Sequence, residues 1–128
     1  MTPIASTYDG DIAFDATFVS EVEATGRMLI QPGILNPFGT VHAGAMIWFA
    51  DVVATTLALQ GQTPTPGMSG FPLAINLSAT LLSNCKDGEL RATAHYVKKG
   101  RHISTIRTQV ALDQGKVLLD LTTTHVAA

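Results

Sequence analysis

Only one cysteine, Cys85, occurs in the 128 residues. That excludes an internal disulfide framework, and no Cys/His spacing resembles a zinc site, because His42, His95, His102 and His125 are scattered. Charge is equally scarce: 14% of residues are charged and the net charge is -2. Without a basic field the chain has no bulk electrostatic means of holding nucleic acid or an anionic membrane, so an anionic ligand must be met by a local cluster. So low a charge content also suggests that another subunit covers part of the surface. No uncharged apolar run reaches the roughly 18 residues that a membrane span requires. Met1 to Ser6 lacks the charged region and apolar run of a signal peptide. The expected location is the cytoplasm. Neither repeats nor strand–helix–strand alternation occur, which excludes a solenoid and a doubly wound parallel sheet.

What is present is apolar. Hydrophobic residues make up 46% of the chain, which fits one globular domain over residues 1–128 with a single core. Residues 1–14 read as an irregular arm. From Thr17 to Ile30 the chain is rich in Val, Thr, Phe and Ile, with a plausible turn at Thr25-Gly26, and reads as a hairpin. Pro32-Gly33 and Asn36-Pro37-Phe38-Gly39 punctuate a loop. A helix follows from about His42 to Leu59, with Thr40 as a candidate cap and Gly61 as its stop. The stretch from Gly61 to Pro72, with three prolines and three glycines, is long enough to form a lid. Four strands then run over Leu73–Leu82, Glu89–Lys98, Arg101–Leu112 and Lys116–Val126, with glycine-bearing turns between the last three and before the second. In the second, Leu90, Ala92, Ala94 and Tyr96 share one face and Arg91, Thr93 and His95 the other, so one face is packed. The expectation is an α+β fold in which an antiparallel sheet of five or six strands curls around one long central helix.

Within that helix one residue is out of place. Asp51, Thr55 and Thr56 are the only polar side chains between Ala43 and Leu59, and the apolar residues fall on every side of the helix, which marks it as enclosed by protein. A carboxylate there is costly to bury unpaired, so it is either tied by hydrogen bonds or kept for chemistry. Thr55, four residues on, shares its face and either orients the carboxylate or bonds its own backbone. At the helix start the free N–H groups of His42, Ala43 and Gly44 and the positive end of the dipole suit a polarised carbonyl. His42 there either fixes the loop or contacts a ligand, and Asn36, before Pro37, is by default a turn former. Ala43 and Asp51 are eight residues apart, about 12 Å along a helix, so a carbonyl at the helix start is beyond reach of its own chain's Asp51. Antiparallel helices of two copies related by a two-fold axis would bring the two groups together.

A second cluster is Lys98-Lys99-Gly100-Arg101-His102-Ile103. It holds three of the eight basic residues in a net-acidic chain and is either a solvated hairpin tip or a local phosphate grip. Cys85 has no base near it in sequence and reads as inert. Phe38, Met46, Trp48 and Leu57 are candidate pocket or core residues.

Asn36-Pro37-Phe38-Gly39-Thr40-Val41-His42-Ala43-Gly44 followed by Asp51 resembles the signature of hotdog-fold acyl-CoA thioesterases of the phenylacetate-degradation and 4-hydroxybenzoyl-CoA thioesterase type. Those proteins carry Asn or Gln, a short loop, His-Gly-Gly and an acid nine positions after the His. Asn36, His42 and Asp51 keep that spacing, Thr55 matches a threonine of some members, and the element order from Asp15 to Val126 is the hotdog order. The resemblance implies hydrolysis of an aromatic or medium-chain acyl-CoA. In that reading Asp51 is nucleophile or general base, the Ala43 N–H polarises the thioester carbonyl and residues 98–103 grip the CoA nucleotide. It implies no cofactor or metal beyond the CoA of the substrate, no nucleic-acid or membrane partner, and a homodimer joined edge to edge that pairs again into a tetramer in many members. Two positions depart from the pattern. Ala43 replaces the first glycine, adding a methyl where the thioester must lie, and Pro72 stands where some relatives place a hydroxyl, with Ser69 three residues before it. Two other activities remain open on this fold: a hydratase or dehydratase, and a module that binds acyl-CoA without turnover.

Overall fold

The computed structural model describes residues 10–128. Two strands, β1 (Asp15–Ser20) and β2 (Glu23–Leu29), precede a short 3-10 turn at Pro32–Ile34 and the single helix α1 (Ala43–Ala58). Four strands follow: β3 (Pro72–Leu81), β4 (Glu89–Lys99), β5 (Ile103–Leu112) and β6 (Val117–Ala127). All pair antiparallel in one six-stranded sheet of order β1-β2-β4-β5-β6-β3. The helix touches every strand of this sheet, which is the curled α+β arrangement expected from the sequence. Part of the expected arm, residues 1–9, lies outside the described residues; residues 10–14 take no helix or strand. They are nevertheless held in place: Gln31 bonds both the N–H and the carbonyl of Ala13, and the Phe14 ring stands edge-on to Trp48 and Phe49.

Alternation fixes which side faces the helix. Leu90, Ala92 and Ala94 of β4, Ile106 and Val110 of β5, and Leu119 and Leu121 of β6 are buried against Met46, Phe49, Val53 and Leu57. Arg91 and His95 stand outside, where Arg27 and Arg91 pair with Glu89, His95 with Glu23, and Arg107 with Asp120.

Three expectations need correction. The first hairpin turns at Glu21-Val22, not at Thr25-Gly26, which lies within β2. Gly26 serves close approach instead: a Cβ there would stand 2.5 Å from Val53 Cγ2 and 2.8 Å from Phe49 Cε1. The helix cap is His42 rather than Thr40, its Nδ1 accepting the Gly44 N–H at 2.8 Å. Nor is the helix enclosed on all sides. Gly44, Trp48, Asp51, Thr55 and Ala58, spaced by three and four residues, form a stripe that retains exposure, because the curled sheet ends at β1 on one side and β3 on the other and does not close.

The strand β3 lies beside β6 and not beside its successor β4. The connection Leu82–Gly88 therefore crosses the molecule at the helix start. There the Asn84 side chain accepts from Val41 N–H at 3.0 Å and donates to the Val41 carbonyl at 2.9 Å, clamping the residue that leads into His42.

Candidate active site

Two hollows flank the open stripe of the helix. One, of about 840 Å³, surrounds the helix start and is lined by Leu35, Asn36, Pro37, His42, Gly44 and Trp48, among others. The other, of about 470 Å³, runs between the helix and β3 under the following loop; Asp51, Val52, Thr55, Leu59, Pro64, Phe71, Leu73 and Leu77 line it. The expected residues are therefore separated within one chain. Asn36, His42 and Gly44 share the first hollow, Ala43 sits at the same helix start, and Asp51 and Thr55 share the second. The spacing of about 12 Å from Ala43 to Asp51 has the same consequence.

At the helix start, His42 N–H donates to Ile34 O at 2.7 Å, and Gly44 N–H is taken by the His42 ring. The Ala43 N–H has no acceptor among the described residues. It is thus the donor that the helix end leaves for a ligand. The His42 ring is spent on the cap through Nδ1. Asn36 is a loop organiser: its Oδ1 accepts from Phe38 and Thr40 N–H, and its Nδ2 donates to Thr40 Oγ1 at 2.7 Å. One Nδ2 hydrogen remains uncommitted, since an amide nitrogen carries two.

Asp51 is half-buried, and its Oδ1 is fully buried without a hydrogen-bond partner among the described residues. Burial pushes its carboxyl pKa above the ordinary range, and the nearby His125 acts in the opposite direction. The orphaned oxygen argues against a purely structural carboxylate, which would be tied by backbone N–H groups. Thr55 makes no bond to its own backbone; Thr56 does, to Val52 O at 2.8 Å. The Thr55 hydroxyl is left to the hollow it shares with Asp51.

The expected pocket lining changes. Met46 and Leu57 are 1% and 0% exposed and belong to the core. Phe38 projects outward at 83% exposure, and Trp48 lines the first hollow. The apolar wall beside Asp51 comes from Val52, Leu59, Pro64, Phe71, Leu73 and Leu77 instead. The loop supplying Pro64 and Phe71 is anchored at its end by paired bonds of Gly70 and Phe71 with Ala128.

The basic tip sits at the other end of the helix. Lys99 donates to Gln60 Oε1 at 3.0 Å and lies over the Tyr96 ring, so it is tied to the helix C-terminus. Gly100 is demanded by the tight tip, since a Cβ would stand 2.2 Å from Ile103 O. Lys98, Arg101, His102 and Ile103 are exposed. The 16 residues of the helix put this tip about 24 Å from its own helix start. Cys85 is half-buried and burial raises its thiol pKa, which keeps it protonated and unreactive.

Sequence reasoning missed His125 and Asn84. Alternation along β6 puts His125 on the inner face with Leu119, Leu121 and Thr123, a signal present in the sequence; the Asn84 clamp depends on a chain crossing that no local pattern announces.

No profile of a known protein family matches the sequence, and no curated protein is significantly similar to it. Solved structures do match. A hypothetical thioesterase of Streptococcus pneumoniae, determined with coenzyme A, is 14% identical, with a TM-score of 0.79 over 96% of this chain and 94% of its own. A thioesterase from Haemophilus influenzae is 16% identical, with a TM-score of 0.79 over 90% of this chain and 78% of its own. Thioesterase superfamily member 2 of zebrafish is 16% identical, with a TM-score of 0.77 over 90% of this chain and 81% of its own. One helix wrapped by six antiparallel strands, at this similarity over nine-tenths of the chain, gives the protein the hotdog fold of these thioesterases.

Proposed function

We propose that the protein hydrolyses acyl-CoA thioesters at two equivalent sites of a homodimer, each built from the helix start of one copy and Asp51 of the other. The observation that carries this reading is a pair of groups left uncommitted among the described residues: the Asp51 Oδ1 beside an apolar hollow and the Ala43 N–H at the helix start. The fold similarity to a thioesterase crystallised with coenzyme A supports the same substrate class.

The thioester carbonyl oxygen accepts from Ala43 N–H, where the helix dipole favours developing negative charge. Asp51 of the other copy either adds to the carbonyl carbon or takes a proton from the water that does. The C–S bond then breaks and CoA leaves as a thiolate that takes up a proton; where Asp51 is the nucleophile, water next hydrolyses the acyl–Asp51 anhydride, and on either route the acyl group departs as a carboxylic acid. Thr55 orients the carboxylate or the water, His42 and Asn36 hold the helix start in shape, and Gly44 allows close approach. The hollow beside Asp51 holds an aromatic or medium-chain acyl group. The exposed Lys98, Arg101 and His102, with the tip shaped by Lys99, Gly100 and Ile103, meet the nucleotide phosphates of a CoA bound across the two-fold axis.

Thiol release from a panel of aromatic and medium-chain acyl-CoAs tests the reading. Hydrolysis is expected for some of the panel and is expected to fall roughly 10²–10⁴-fold in Asp51→Ala, the range for loss of a general base. Tight acyl-CoA binding without turnover by the unmodified protein would replace the enzyme with a binding module.

A further inference from the structure

Among the described residues only one that is not glycine has a positive φ: Gln60, at 50°. It follows the Leu59 cap of α1, a place usually taken by glycine or asparagine because larger side chains are strained in that backbone conformation. Strain of this kind persists where the side chain does something in return. Here the side chain joins four parts of the molecule. Its Nε2 lies 2.9 Å from Leu57 O at the helix end, 3.0 Å from Glu21 O in the β1–β2 turn and 3.1 Å from Tyr96 Oη on β4. Its Oε1 accepts from Lys99 Nζ at 3.0 Å. The partners fix which way the amide points: an ammonium only donates and a backbone carbonyl only accepts, so oxygen faces Lys99 and nitrogen faces the carbonyls. Tyr96 completes the knot, its hydroxyl donating to Leu57 O at 3.3 Å and its ring centroid lying 5.5 Å from Lys99 Nζ.

Lys99 ends β4 and begins the basic tip. The register of β4 against β5 shifts between Tyr96 and Lys98, so a bulge bends the strand just before the tip. Lys99 is exposed, and an exposed lysine ordinarily keeps most of its rotamer freedom. This one is held by the Gln60 amide and the Tyr96 face, at the helix C-terminus, whose dipole favours a cation. Its neighbours are uncommitted. Every ion pair among the described residues uses Arg27, Arg91, His95 or Arg107, which leaves Lys98, Arg101 and His102 without a carboxylate. The basic residues of the tip thus divide into three free for an anion and one used for anchorage.

We infer that Gln60 is a positioning residue for the nucleotide of CoA: it pins Lys99 to the helix end and so fixes the attitude in which the tip presents Lys98, Arg101 and His102 to the phosphates. The inference rests on the reading of this tip as the CoA grip. Gln60 lines neither of the two hollows that flank the helix, so its effect is confined to the part of the substrate that the tip meets. A tip ordered beforehand spares binding the cost of ordering it.

The test compares initial rates on an acyl-CoA with those on the matching S-acyl pantetheine, which has the same thioester but no nucleotide. In Gln60→Gly, where glycine suits the positive φ and only the side chain is lost, KM for the acyl-CoA is expected to rise roughly two- to tenfold, the ordering cost of one long side chain. Neither kcat nor the KM of the pantetheine thioester is expected to change. Lys99→Met should reproduce the effect, and Gln60→Gly should add nothing to it in the double variant. An unchanged KM for acyl-CoA, a rise shared by both substrates, a fall in kcat, or full additivity of the two substitutions would overturn the inference, because general damage to the fold does not discriminate by nucleotide. Should Gln60→Gly not fold, Gln60→Asn, which tolerates the same backbone but is one methylene short, takes its place. With an inactive parent, calorimetry with CoA decides: binding weakened two- to tenfold in the variant keeps the inference and sinks the proposed hydrolysis, whereas equal binding, or none by the parent, overturns the inference.

Discussion

Asp51 is a carboxylate whose burial works against its charge. Its carboxyl is raised above the ordinary range by desolvation, so the acid that the reaction needs ionised is lost on acidification earlier than an exposed aspartate would be. If it is the base or nucleophile, kcat/KM falls as pH drops through this raised midpoint, and an acid limb at the ordinary carboxylate pKa of about 3.9 would contradict the assignment. The linkage to stability has the matching sign. A carboxyl with a raised folded-state pKa favours folding below its unfolded pKa, and that contribution is lost as pH rises through the folded value. Asp51→Asn should therefore melt higher than the parent at neutral pH, and the difference should shrink in acid. Thermal melts at two pH values measure it. Asp51 was legible in the sequence because an acid within an apolar run violates the pattern around it. His125 was not singled out, although alternation along β6 places it on the buried inner face with Leu119, Leu121 and Thr123. Thr55 and Thr56 looked alike in sequence; only the structure shows that Thr56 bonds Val52 O and that Thr55 does not.

At the scale of elements, sequence pattern located every strand of the second half to within about two residues, because alternation and glycine-bearing turns coincide there. It failed where glycine had a different use. Gly26 resembled a turn residue but sits in β2 beneath Val53 and Phe49, where the helix approaches the sheet too closely for a side chain. Gly26→Ala should cost about 1–3 kcal/mol by overpacking, read as a lower midpoint in a denaturant melt; an unchanged midpoint would mean that helix and sheet are not in such close contact. The helix start was placed correctly but its cap was not, since a histidine is a less usual cap than a threonine and here fills that place with its ring nitrogen. Asn84 completes this corner by clamping Val41. Loss of its two bonds to Val41 in Asn84→Ala is expected to cost about 1–3 kcal/mol and to lower kcat/KM by loosening the position of the Ala43 N–H. A kcat/KM equal to that of the parent in a folded variant would remove Asn84 from the support of the site.

The whole molecule has an unfinished side. Among the described residues β3 is an edge strand bonded only to β6, and Leu73, Ile75, Leu77 and Leu81 along it are each 44% exposed or more. Such an edge invites pairing with another copy, and it borders the same open stripe of the helix that carries Asp51. Charge placed there, as in Ile75→Lys, should shift the protein toward monomer in light scattering and abolish hydrolysis with Asp51 intact; a monomer that remains fully active would remove the need for two copies. The most direct measurement is complementation between Asp51→Ala and Ala43→Pro. Proline is tolerated at the first helical position, where it deletes only the N–H in question, and the extended backbone of His42 suits a residue before proline. Each variant alone should be inactive. After verified subunit exchange, half of the dimers contain one chain of each kind, and in each of these one of two sites regains both groups. The account predicts recovery to about a quarter of parental activity per chain; an inactive mixture despite exchange would contradict a site shared between two copies.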